Sequence, residues 1–320
     1  MSDWHGDHPV ARLDDADPHL AHLQYFPVKS LDSEPRDRAT LATDGALAGD
    51  REWAILDRPA DEPYDPAAAD VGGSGDYVNG KKTDAVHRLR STFHPRDADG
   101  GDDSARDGSA RDSGGPAVTL REQGAGESGA RRFPLADAGD DEAAVHADLN
   151  ARLSEFFGRE VSVRRDDAGQ HDDRERHGPT VVSTATLREV AAWFDFDLES
   201  ARRRFRANLE IGGVPPFWED RLFADAGEVV RFRIGDAELL GVHPCQRCVV
   251  PGRDPDTGAE TVDFRETFIR RREETTPEWT DSDRFDHAFR LMVNTRVPAA
   301  SAGEPVAVGE PVERIGTKTE

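Results

Sequence analysis

The chain has 320 residues, with 41 lysines and arginines against 64 aspartates and glutamates, for a net charge of −23. Such a surface repels a phosphate backbone or an anionic membrane, which argues against nucleic-acid and membrane partners. No apolar run approaches the ~20 residues that span a bilayer, and the acidic N-terminus lacks a basic, apolar signal region, so a soluble cytoplasmic protein is expected.

Lys29, Lys81, Lys82 and Lys318 are the only lysines among 41 basic residues. Acidic excess, scarce lysine and many small residues together read as adaptation to high salt. At about 1 M salt the Debye length is only ~3 Å, so self-repulsion would be screened there. Two cysteines, Cys245 and Cys248, cannot staple a chain of this length, and they invite a metal or redox reading instead.

In chain order, residues 1–18 are polar, acidic and rich in His and Asp, and read as a disordered tail. His5, His8, His19 and His22 are metal-ligating types, but nothing in their setting implies order. Structure is expected from His19, with an apolar run Leu20–Val28 and strands at Glu52–Leu56 and Tyr77–Val78, the latter closed by the turn signal Asn79-Gly80. Residues 97–115 are low-complexity and nearly without large apolar groups, so they read as an inserted disordered loop. Residues 123–130 and 166–178 read as further polar insertions. Between them, residues 144–157 place Leu149, Leu153, Phe156 and Phe157 on one helical face.

Beyond Gly178, Ser183 is a candidate N-cap for a helix carrying Leu187, Val190, Ala191 and Phe194, and a second helix is expected over residues 198–205. The remainder reads as strands: 229–234 and 237–242 around the hairpin signal Gly235-Asp236, a turn at 254–258, then strands at 289–297 and 306–312. The pattern predicts an α+β, mostly β chain: an N-terminal region over 19–165, a barrel-like domain over 179–313, and a tail over 314–320.

The sharpest chemical feature is Pro244-Cys-Gln-Arg-Cys248. A C-x-x-C pair is half of a tetrahedral zinc site, but no second pair completes it, and His243 is too close in sequence. A thioredoxin-like pair needs a helix after it, whereas Val249-Val-Pro-Gly252 reads as strand and turn. A single thiolate on a soft transition metal is the third reading, and the pair alone does not choose among them. Trp218-Glu-Asp220 reads as a packed loop, Trp53 and Trp193 as core, and His87 as a satisfied polar residue.

The series Tyr25-Phe-Pro-Val-Lys-Ser-Leu31, Gly49-Asp-Arg-Glu-Trp53, Arg206-Ala-Asn-Leu209, Pro244-Cys-Gln-Arg-Cys248 and Asp254-Pro-Asp-Thr-Gly258 resembles, in this order, the MOSC family. The layout is closest to the branch with an N-terminal MOSC β-barrel region, which includes the mitochondrial amidoxime-reducing component. The resemblance implies that Cys248 is the ligand of a molybdenum cofactor, a molybdopterin holding Mo, with Cys245 beside it and not on the metal. It places Lys29, Ser30 and Arg51 at the cofactor's anionic end, and Arg206 and Asn208 near it. Ser183 and Thr184 fall in a polar loop against the cofactor, Asp254 and Thr257 in the turn after the cysteine, and Asn294-Thr295 on a late strand near the site.

Chemistry agrees with these roles, because a phosphate-bearing group needs cations and forked donors, and cations beside a thiol favour the metal-binding thiolate. The implied activity is reduction of N-hydroxylated small molecules by oxygen-atom transfer at a Cys-bound Mo. Electrons would come from a separate ferredoxin or reductase, since two cysteines cannot ligate a four-cysteine cluster. The alternative is a non-catalytic cofactor carrier or sulfuration partner. Sulfurases in this lineage have a pyridoxal-phosphate domain, for which no length remains here, so that cofactor enters only through family naming.

Overall fold

The computed structural model describes residues 17–42, 46–64, 76–96, 115–137, 139–166, 177–280, 284–285 and 287–319. The acidic tail up to residue 16, most of the expected insert at 97–115 and the polar stretch 167–176 lie outside them.

The N-terminal half contributes β1 (His19–Tyr25), β2 (Glu34–Pro35), β3 (Arg38–Thr40), β4 (Trp53–Leu56), β5 (Leu89–His94), β6 (Ala117–Glu122) and β7 (Arg131–Pro134), then α1 (Glu142–Val145), α2 (Ala147–Phe157) and β8 (Ser162–Arg165). The C-terminal half adds β9 (Val181–Ser183), α3 (Thr184–Trp193), α4 (Leu198–Phe205), β10 (Leu209–Gly212), β11 (Glu228–Ile234), β12 (Ala237–Gln246), α5 (Phe264–Glu274), β13 (Arg290–Arg296), β14 (Pro305–Ala307) and β15 (Val312–Thr319). The result is α+β and mostly β.

The large sheet runs β15-β11-β12-β13-β9-β10-β1-β2, and its two sides meet at one end, where His19 bridges Pro311 and Val312 N–H, at the start of β15, donates to Pro18 O at 2.8 Å. It is mixed, because β9 and β10 are parallel and the other neighbours antiparallel. The first strand of the chain is therefore built into the sheet of the C-terminal half, with Leu23 opposite Leu209. Leu20, Leu23, Leu209, Ile211, Phe232 and Leu239 are fully buried in the core below it. At ~25 cal/mol per Å² of apolar surface, this burial binds β1 to the C-terminal half. A second core, around Trp53, Ile55, Val118, Leu149 and Leu153, belongs to the N-terminal half.

Local expectations are met where short-range chemistry dictates them. Ser183 caps α3, its hydroxyl accepting from Thr186 N–H. Ile234 pairs with Ala237 across a two-residue hairpin in which Gly235 has φ 57°. The helix expected over 144–157 starts earlier, at Glu142 under an Asp141 cap, and breaks at His146, whose ring is used in the core. Gly158, at φ 67°, ends it. Residues 123–130 form a tight connection between β6 and β7 containing a short 3₁₀ turn.

Three expectations are corrected. The single strand over 306–312 divides into β14 and β15, because a turn at Val308–Glu310 reverses the chain. The tail over 314–320 is instead strand through Thr319, paired with β11. The backbone after Cys248 forms no strand but a three-residue 3₁₀ turn at Val250–Gly252.

Candidate functional site

A cavity of about 170 Å³ opens where the two halves meet. From the N-terminal half it is lined by Phe26, Lys29, Ser30, Asp32 and Arg51, then by Asn79–Lys81 and His87. The C-terminal half supplies Arg203, Arg204, Arg206, Arg247 and Cys248. Five of the residues expected at a site, Lys29, Ser30, Arg51, Arg206 and Cys248, thus meet in one cavity although they are up to about 220 residues apart in sequence.

The backbone that presents them is unusual. Ser30 (φ 74°), Arg51 (φ 54°) and Arg206 (φ 58°) all adopt the left-handed conformation, which costs non-glycine residues of order 1 kcal/mol each. Arg206 does so as the cap that ends α4, its N–H donating to Arg202 O at 2.8 Å. Its guanidinium lies 4.0 Å from the centre of the Phe26 ring, and that of Arg51 lies 5.2 Å from the same ring. Burial, and then the charge of Arg51, push the pKa of Arg206 down to about 10, so it stays protonated at neutral pH.

Asn208 does not line the cavity; it holds those that do. Buried beneath them, it donates to Asp50 Oδ2 and Gln24 O, both at 3.3 Å, and accepts from Thr180 N–H at 3.2 Å. Asp50 in turn accepts from Phe26 N–H at 2.7 Å and from the Arg51 guanidinium. One buried amide therefore ties β1, β9 and the Gly49–Trp53 segment together behind the cavity. Ser183 and Thr184 also lie outside it. Ser183 N–H donates to Glu219 at 3.1 Å, and Thr184 Oγ1 donates to Glu210 at 3.4 Å. Asn294 and Thr295 sit on β13, where Thr295 Oγ1 donates to Pro179 O at 2.7 Å, away from the cavity.

The loop that carries Cys248 is fixed from α4. Arg204, only 3% exposed, donates to Pro251 O at 3.1 Å and to Arg253 O at 2.6 Å. Asp254 Oδ1 accepts from the N–H groups of Asp256 and Thr257 and from the Thr257 hydroxyl, closing the turn. Gly258 (φ 75°) ends it against Asp84, where a Cβ would stand 2.7 Å from Asp84 Cβ. Asp256 also accepts from Arg90 at 2.6 Å and pairs with Arg203 at 2.9 Å. This turn is thus a joint between the halves as well as a support for the cysteine loop. Cys245 and Cys248 differ in setting: Cys245 accepts from Arg247 at 3.1 Å and packs on the helical core, whereas Cys248 lines the cavity.

Several cavity residues escaped sequence reasoning, among them Lys81, Arg247 and His87. Lys81 carries a legible signal, for it is another of the four lysines and follows a turn in which Asn79 Oδ1 accepts from Lys81 N–H at 2.9 Å. Arg247 and His87 carry none, since their roles depend on long-range placement. The reading of His87 as a satisfied polar residue is corrected: its Nε2 is buried on the cavity wall without a hydrogen-bond partner. The packed-loop reading of Trp218-Glu-Asp220 holds, as a buried 3₁₀ helix spans Trp218–Leu222.

Two comparisons bear on this arrangement. The MOSC domain family model matches residues 174–313. That segment, under half of the chain, is similar to a MOSC domain. The chain is also 32% identical over 78 residues to a molybdenum cofactor sulfurase of Caenorhabditis briggsae, a match covering 24% of this chain and 10% of that protein. The chain therefore spans about a tenth of that relative's length. The MOSC segment contributes Arg203, Arg204, Arg206, Arg247 and Cys248 to the cavity, while Lys29, Ser30 and Arg51 come from outside it. The cavity's donor set fits a phosphate-bearing dithiolene cofactor: a cysteine thiol, clustered guanidinium and ammonium groups, and a buried imidazole nitrogen still lacking a partner.

Proposed function

We propose that this chain binds a molybdenum cofactor through Cys248 and reduces N-hydroxylated small molecules, drawing electrons from a separate ferredoxin or reductase. The observation that carries the reading is the meeting of Cys248 with Lys29, Arg51, Arg206 and Arg247 in one cavity of a chain whose net charge is −23. A cationic pocket in an acidic protein focuses anions toward itself.

In this reading Lys29, Ser30, Arg51 and Arg206 hold the anionic end, with forked guanidinium donors suited to phosphate. Asn208 and Asp50 hold those groups still, and Arg204 fixes the loop that presents the Cys248 sulfur. When bound, the molybdenum centre would supply two-electron chemistry coupled to oxygen-atom transfer. A second reading, a carrier or sulfuration partner without turnover, is favoured by the partial likeness to a molybdenum cofactor sulfurase.

Protein purified in high salt and loaded with cofactor would be assayed for reduction of benzamidoxime with an artificial electron donor. Reduction that tracks metal content supports the enzyme. Metal without reduction supports the carrier, and a protein that takes up no metal rejects both.

A further inference from the structure

His87 lies in a 3₁₀ turn, Ala85–Arg88, that enters β5. Its Nε2 packs so closely on Gly80 that a Cβ there would stand 2.8 Å away. The same Cβ would stand 3.1 Å from Val250 Cγ2. The imidazole is therefore wedged beside the segment that follows Cys248, on the wall of the cavity. Most other polar groups there are cations with partners in the protein. Arg204 is bonded to backbone carbonyls, Arg206 sits over Phe26, and Arg247 donates to Phe205 O at 3.0 Å. His87 Nε2 is buried and has none.

A buried polar nitrogen left unpaired destabilises the fold unless a ligand or water meets it. Burial, then the charges of Arg206 and Arg253, push the pKa of His87 down to about 4. In a cavity crowded with guanidinium groups it is thus a neutral group that can share a hydrogen bond without adding charge. Phosphate is best met by the cations. A neutral imidazole suits the uncharged nitrogen and oxygen atoms of a heterocycle.

We propose that His87 is a ligand-binding residue whose buried, unpartnered Nε2 makes a hydrogen bond to the pterin portion of the bound cofactor, dividing labour with the cations that hold its phosphate. The proposal rests on the cofactor reading above. Gly80 belongs to the same device, because any side chain there would displace the ring.

The test is fluorescence titration of molybdopterin into the full-length protein, comparing wild type with His87→Phe and His87→Gln. His87→Phe should weaken binding about tenfold, the scale of one hydrogen bond, and His87→Gln should recover most of it. Selective ¹⁵N-histidine labelling of the wild type should show the His87 Nε2 resonance shift on loading, a readout that needs no variant to fold. Equal affinity in His87→Phe overturns the proposal, as does failure of His87→Gln to recover binding or an Nε2 resonance unmoved by loading. A wild-type chain that does not bind molybdopterin overturns the cofactor reading itself, a distinct outcome.

Discussion

The Arg206 guanidinium lies 4.0 Å from the centre of the Phe26 ring, a contact between the first residue after α4 and the first residue after β1. It joins the two halves at the cavity and aims a fork of donors into it. Lysine retains the charge but loses the planar fork and the stacking. Arg206→Lys should therefore weaken cofactor retention about ten- to a hundredfold, measured as bound molybdopterin after gel filtration. Unchanged retention would remove Arg206 from the binding role.

Glu219 has the opposite character: a fully buried carboxyl outside the cavity, with Oε2 bonded to Thr186 and Oε1 without a partner. Burial, reinforced by the charge of Asp220, pushes its pKa well above the carboxylate range. A raised carboxyl pKa means stability is highest below the unfolded value and falls as pH rises through the folded one. Glu219→Gln should lie close to wild type in acid and exceed it above neutrality by on the order of 1–3 kcal/mol. Urea denaturation at acidic and alkaline pH measures the crossover.

His146 supplies the acid-side counterpart. Its ring is fully buried, with Nε2 accepting from Ala136 N–H at 2.8 Å and Nδ1 donating to Val163 O at 3.0 Å. Protonation of Nε2 would destroy the first bond, and burial pushes the pKa down to about 4. For a depressed histidine the stabilising contribution is complete above the unfolded value of about 6.5 and is lost as pH falls toward 4. Wild type should lose on the order of 2–3 kcal/mol across that window from this group. His146→Ala should be less stable at neutral pH and show a shallower slope below it in the same titration.

The salt expectation from composition carries a direct test. With a net charge of −23, melting temperature should rise steadily between about 0.1 M and about 3 M salt as the Debye length shortens from ~10 Å to below ~3 Å. A flat melting temperature would refute the reading of the acidic surface as salt adaptation.

Much of this was legible in the sequence because it is short-range. Ser183 and Gly235-Asp236 announced a cap and a hairpin through chemistry confined to a few residues. Arg51, Arg206 and Cys248 were legible as members of a recurring ordered series, although nothing in their spacing says that they converge. Asn208 carried a signal whose meaning changed, since its amide is spent on Asp50 and Gln24 behind the cavity wall. Ser183 and Thr184 likewise turned out to serve Glu219 and Glu210. The pairing of β1 with β10, of β15 with β11, and the burial of His87 Nε2 depend on contacts across most of the chain, which no local pattern encodes.

The most direct test of the central claim is molybdenum per chain, by mass spectrometry, in protein loaded in high salt, for wild type, Cys248→Ser and Cys245→Ser. Near-stoichiometric metal in wild type and Cys245→Ser, with loss in Cys248→Ser, is the predicted result. Equal metal in Cys248→Ser and wild type, or loss in Cys245→Ser alone, would contradict the assignment of Cys248 as the ligand.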